Sequence, residues 1–280
     1  MSKPIIAIMY DFDKTLCTRD MQEYSFLPSV GVEPHEFWAN ATKMAAEEVM
    51  DSILTYMYCM VEAAHESGNP LTRESLVACG KDIEYFPGVE GWFERINRYA
   101  EEVGVEVEHY VLSSGLKEII EGTSIAKFFK RIYACEFLYK DGQAYWPKMA
   151  VNYTNKTQFV YRINKGVLDI NNNADLNNYR PDSERRVFFD NMIYMGDGLT
   201  DVPCMKLVKE SGGHSIAIYH TGQQDSALPL LKHDRVNFML EADYNEGSDL
   251  DRTMKLLLEN LSCKNKLKAL NKHQKKQFAE

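Results

Sequence analysis

The feature that most constrains this chain is a six-residue apolar run, Ile5-Ile6-Ala7-Ile8-Met9-Tyr10, ending in Asp11-Phe12-Asp13. The run has no polar alternation and is rich in β-branched residues, which predicts a strand buried on both faces. Similar runs recur at Glu108–Leu112, Asn191–Met195 and Ser215–Tyr219. Between them lie stretches of helical period, Val89–Val103 before Gly104 and Val202–Lys209 before Gly212-Gly213. Buried strands alternating with helices predict an α/β fold with a Rossmann-like parallel sheet covered on both faces. Ligands of such sheets bind beyond the carboxyl ends of the strands, so the residues directly after each run are the first candidates.

The segment from Thr18 to Tyr85 contains no comparable strand run. It is rich in Ala, Met, Glu and Tyr, as in Phe37–Met50 and Ile53–Glu66, and Gly68-Asn69-Pro70 breaks its second helix. An all-helical insertion over residues 18–85, inside a core of residues 1–17 and 86–280, is the predicted organisation. A hairpin is predicted where Asp141-Gly142 separates Glu136–Tyr139 from Gln143–Trp146. The lysine-rich end, Lys264 to Lys276, is read as a solvated terminal helix.

Composition removes several classes of function. Lys+Arg 32 against Asp+Glu 41 gives a net charge of −9, the wrong sign for a nucleic-acid binder. The six cysteines are scattered without a C-x-x-C pair, which suits neither a disulfide framework nor a zinc site and predicts a reduced, cytoplasmic protein. No apolar stretch reaches membrane-span length, so no membrane association is expected.

Asp11 and Asp13 leave the carboxyl end of a buried strand, where an unpaired carboxylate is costly. A calcium loop starting at Asp11 would require Gly and Glu where Leu16 and Gln22 stand. A second acidic pair follows the strand Ile193-Tyr194-Met195 in Gly196-Asp197-Gly198-Leu199-Thr200-Asp201. A dinucleotide fingerprint would need Gly in place of Asp201. The four carboxylates are therefore expected on one rim of the sheet. Two of them about 4 Å apart repel by roughly 4 kcal/mol at an effective dielectric near 20, so a cation or a shared proton is required. An all-oxygen set without His or Cys suits Mg²⁺.

Val111-Leu112-Ser113-Ser114-Gly115 ends the second strand and offers a hydroxyl and amides to a phosphate oxygen, although helix capping by Ser114 accounts for part of the pattern. Lys156 precedes a helix predicted over Thr157–Lys165, at the end where the dipole disfavours a cation. A local rule broken without local gain marks it as a phosphate ligand.

Taken in order, these motifs resemble the haloacid dehalogenase (HAD) superfamily of hydrolases, in its phosphoserine-phosphatase-like branch. Asp11-Phe12-Asp13-Lys14-Thr15-Leu16 is similar to the first family motif, Ser113 to the second, Lys156 to the third and Gly196 to Asp201 to the fourth. The resemblance implies a HAD fold with a helical cap, and a Mg²⁺-dependent phosphatase acting on a small phosphomonoester through an aspartyl phosphate. It implies Asp11 as nucleophile and Asp13 as general acid and base. It also implies a metal site of Asp11, the Asp13 carbonyl and Asp197 supported by Asp201, with Phe12, Ser113, Ser114 and Lys156 on the phosphate. Asp20 stands where the phosphoserine enzymes carry a cap Glu that meets substrate, and none of Lys43, Arg73 and Lys81 matches their cap Arg. These departures point to a phosphoester other than phosphoserine. A phosphotransferase would share every catalytic residue, and a non-catalytic metal- or phosphate-binding module would be expected to lose Asp11 or Asp13.

Overall fold

A computed structural model describes residues 3–278. β1 (Ile5–Tyr10) is buried through nearly all its length, and residues 11–17 lead from it into a helical segment. That segment carries α1 (Phe26–Val30), α2 (Pro34–Glu47), α3 (Ser52–Ser67) and α4 (Arg73–Cys79), with no strand among them. Local chemistry sets their ends. Pro34 occupies the first turn of α2, where a missing N–H is harmless. The Asp51 carboxylate accepts from the amides of Ile53 and Leu54 at the start of α3, and Thr72 and Ser75 cap α4 reciprocally. The two connections to the segment run side by side, with Thr18 N donating to Glu84 O at 3.0 Å and Phe86 N to Leu16 O at 3.1 Å.

Beyond it follow α5 (Val89–Val103), β2 (Glu106–Leu116), α6 (Lys117–Glu121), β3 (Phe129–Lys140) and β4 (Gln143–Met149). The chain continues through α7 (Lys156–Lys165), α8 (Asn173–Asn177), β5 (Met192–Gly196) and α9 (Val202–Glu210). It ends with β6 (His214–Tyr219), α10 (Gln224–Lys232), β7 (Phe238–Glu241) and α11 (Asp249–Gln277). The seven strands form one sheet in the order β4-β3-β2-β1-β5-β6-β7, parallel except for the β3–β4 hairpin. This is the α/β architecture expected from the sequence. Strand order reverses at β1, with β2 on one side and β5 on the other, and ligand sites of open parallel sheets lie at such switch points.

Two expectations, the end of β2 and the place of Lys156, are corrected, and the hairpin is borne out. β2 does not end at Leu112 but carries Ser113 and Ser114 as strand residues to Leu116, because β3 continues to pair beside it. The predicted hairpin is present, and its first strand is also a full member of the sheet beside β2. Lys156 is the first residue of α7 rather than the residue before it. The terminal helix α11 runs to Gln277 and is exposed beyond its first half, although Lys264 and Lys268 pair with Asp190.

Candidate active site

The carboxyl ends of β1, β2 and β5 converge with the start of α7. Asp11 is fixed at the β1 end by its amide, which donates to Met195 O at 2.9 Å, so β1 and β5 present their following loops together. Its Oδ1 accepts from Lys156 Nζ at 3.0 Å, and the same ammonium donates to Asp201 Oδ1 at 2.8 Å. Lys156 is fully buried. Burial works against its charge, yet Asp11 and Asp201 outweigh burial and hold it protonated. The dipole penalty at the α7 start is thus offset by two carboxylates. The Tyr194 hydroxyl, from the interior of β5, donates to Asp201 Oδ1 at 2.8 Å.

One oxygen from each of Asp11, Asp197 and Asp201 can lie within 4.8 Å of the other two. Burial, then Asp201 and Lys156's opposing pull, leave the Asp11 carboxyl pushed up to about 7. Burial, then Asp201 and Asp11, push Asp197 up to about 8. One lysine does not neutralise three carboxylates, and the all-oxygen donor set fits a hard divalent cation such as Mg²⁺. The Asp13 carboxylate, which the sequence grouped with these, stands outside that set. It faces the helical segment, where Oδ1 accepts from Met21 N at 2.9 Å. Burial, then the charges of Asp20 and Asp11, raise the Asp13 carboxyl above its ordinary range.

Ser113 is buried, and its Oγ accepts from Gly115 N at 2.9 Å. Ser114 does not cap α6: the residue before that helix is Leu116, without a side-chain cap, and the buried Ser114 hydroxyl has no partner among the described residues. Gly115 is closely packed, since a Cβ there would lie 2.2 Å from Met21 Cε and 2.8 Å from Asp13 Oδ2, so a larger residue would displace those side chains. Phe12 is fully buried. Asp20 pairs with Lys14 at 2.6 Å. Beside Asp197 a cleft of about 610 Å³ opens among Lys14, Thr18, His220, Gln223 and Leu230.

The structure therefore brings Lys156 into contact with Asp11 and Asp201 and gathers Asp197 with those two carboxylates within 4.8 Å, with Asp13 and Ser113 flanking them. The sequence reading missed Tyr194, which looked like one more apolar strand residue, and Met21, whose place over Gly115 no local pattern announces.

A sequence profile described as haloacid dehalogenase-like hydrolase matches residues 8–206. An uncharacterized protein of Borreliella burgdorferi is 27% identical over 274 residues, covering 88% of this chain and 94% of its own. A solved phospho-aspartyl intermediate analogue of phosphoserine phosphatase superposes with a TM-score of 0.55 at 18% identity, covering 91% of this chain and 99% of that one. Cytosolic 5'-nucleotidase IIIB bound to cytidine superposes with a TM-score of 0.51 at 16% identity, covering 94% and 87%.

Proposed function

The chain belongs to the haloacid dehalogenase-like hydrolases, and on that premise we propose that it is a Mg²⁺-dependent phosphatase hydrolysing a small phosphomonoester through an aspartyl phosphate on Asp11. The observation that carries this reading is the buried Asp11 carboxylate, oriented by Lys156 and set against Asp197 and Asp201.

Asp11 attacks phosphorus as the ester P–O bond breaks, and Asp13, whose raised proton affinity suits a general acid, gives its proton to the leaving oxygen. Asp13 then takes a proton from water as the water oxygen attacks phosphorus, releasing phosphate and restoring the Asp11 carboxylate. Lys156, the Ser113 hydroxyl and the amides of Phe12 and Ser114 bind the phosphoryl oxygens. Asp11 and Asp197, with the Asp13 carbonyl and support from Asp201, would hold Mg²⁺, which when bound supplies positive charge against the phosphoryl oxygens. Residues 18–85 act as a cap, and residues 1–17 with 86–280 as the core.

The phosphoserine phosphatases share the fold, but phosphoserine is not proposed as the preferred substrate. Of the basic residues between Met21 and Tyr85, Arg73 pairs with Glu121 and Lys43 lies exposed beside Glu47. Lys81 lines a separate cavity with Gly80, Gly122 and Ser124. None of the three is placed to receive a substrate carboxylate. Asp20 is assigned to the leaving-group side of the site.

The test is turnover of p-nitrophenyl phosphate with added Mg²⁺, which chelator should abolish. Undiminished turnover in excess chelator rejects the metal dependence. Phosphoserine at the head of a kcat/KM ranking of small phosphomonoesters rejects the substrate assignment.

A further inference from the structure

The helical segment reaches the end of β2 beside Ser113 through two polar contacts, the Leu116 N–H to Met21 Sδ at 3.0 Å and a bond from Tyr56. Tyr56, buried in the second turn of α3, donates its hydroxyl to Ser114 O at 2.7 Å, and the Cys135 thiol donates to the same oxygen at 3.3 Å. That carbonyl and the Gly115 N–H belong to one planar peptide unit, so fixing one end directs the other. The Gly115 N–H in turn occupies a lone pair of Ser113 Oγ at 2.9 Å. A hydroxyl has one proton and two lone pairs. With one lone pair taken, and no protein acceptor for its proton among the described residues, the Ser113 O–H is left to donate to a ligand. Burial keeps the Tyr56 phenol protonated, as a donor to a carbonyl must be.

We propose that Tyr56 is a positioning residue that acts across the segment boundary, through the Ser114–Gly115 peptide, to hold the Ser113 hydroxyl toward a bound phosphoryl oxygen. The proposal rests on the phosphatase reading for what the hydroxyl meets. Loss of the contact leaves only the weak Cys135 thiol donor on that carbonyl, so the peptide unit is held less firmly and more of the ordering of Ser113 falls at the moment of binding. The effect falls on bound ground state and transition state alike, so it appears in KM and in the affinity for a phosphate analogue rather than in kcat.

Five forms of the full chain test it: wild type, Tyr56→Phe, Ser113→Ala, the double variant and a chain with 3-fluorotyrosine at position 56. Each is titrated calorimetrically with tungstate and assayed on p-nitrophenyl phosphate. Tyr56→Phe keeps the buried ring, and a melting curve establishes that it folds. It should raise both the tungstate Kd and KM roughly tenfold, the scale of one hydrogen bond, with kcat altered less than about threefold. In the Ser113→Ala background the same change should alter either constant less than about twofold. 3-Fluorotyrosine at position 56, a stronger donor of similar shape, should bind tungstate no more weakly than wild type. Multiplicative losses in the double variant, or an unchanged tungstate Kd in Tyr56→Phe, overturn the proposal. A wild type that binds tungstate with this coupling but hydrolyses nothing overturns the phosphatase reading and leaves Tyr56 in its role. A wild type that binds no tungstate overturns both.

Discussion

Asp11 and Asp13 are two residues apart yet face opposite partners, Asp11 toward Lys156 and Asp13 toward the Met21 amide. That separation makes their substitutions distinguishable. Asp11→Asn should remove turnover while leaving the melting temperature near wild type, since the amide still accepts from Lys156. Asp13→Asn should leave turnover lower by about 10²–10⁴, the usual contribution of a positioned proton donor and acceptor. An aryl phosphate, whose phenolate departs without a proton, should suffer less in the first step than an alkyl ester. The base is still missing for the second step, so Asp13→Asn should accumulate phosphate on the peptide containing Asp11, read by mass spectrometry. Phosphate found on Asp13, or ordinary turnover by Asp11→Asn, would reverse the two roles.

At the scale of elements, the helical segment is locked to the core where α4 crosses the end of α6. A Cβ on Gly122 would lie 1.8 Å from the Val77 carbonyl oxygen, a backbone atom that no rotamer change can move. Gly122 has φ −79°, so Ala there suffers no backbone strain of its own and the variant reads the contact alone. Gly122→Ala should therefore destabilise the protein by about 1–3 kcal/mol through overpacking, measured as a lower denaturation midpoint; an unchanged midpoint would mean that α4 can shift freely. That crossing was invisible in the sequence, as were α4 itself and the short β7, because each depends on partners distant along the chain. Elements with local signals were legible: β1 and α5 have the bounds their patterns gave, and Asp141 and Gly142, with φ of 52° and 80°, form the turn their types favour. The site divides the same way. Asp11 and Asp197 follow apolar runs and could be found by position, whereas Tyr194 and Tyr56 act through hydroxyls on side chains whose spacing signals only packing.

For the molecule as a whole, the acidic site couples folding to pH and to metal. The Asp11 and Asp197 carboxyls are pushed up to about 7 and about 8 in the folded chain, against roughly 3.9 for an unfolded aspartate. Between about pH 4 and pH 8 the folded chain then binds more protons than the unfolded one, so these two groups make stability fall as pH rises. The buried His109, pushed down to about 3, has the opposite sign, because its neutral folded form adds stability as pH rises toward 6.5. The total pH profile therefore mixes both, and the informative quantity is the shift in Tm on adding Mg²⁺ at each pH. Protons compete with the cation for the same carboxylates, so the shift should be small at pH 5.5 and large at pH 8.5. At a hundredfold excess over Kd it corresponds to about 2.7 kcal/mol. Asp197→Asn removes a carboxylate from the cluster and should abolish most of the shift while raising the metal-free Tm at pH 8.5, where the repulsion it relieves is greatest. Scanning calorimetry with and without Mg²⁺ at the two pH values checks this, and a shift equal at both, or retained in Asp197→Asn, would mean that the cation binds elsewhere.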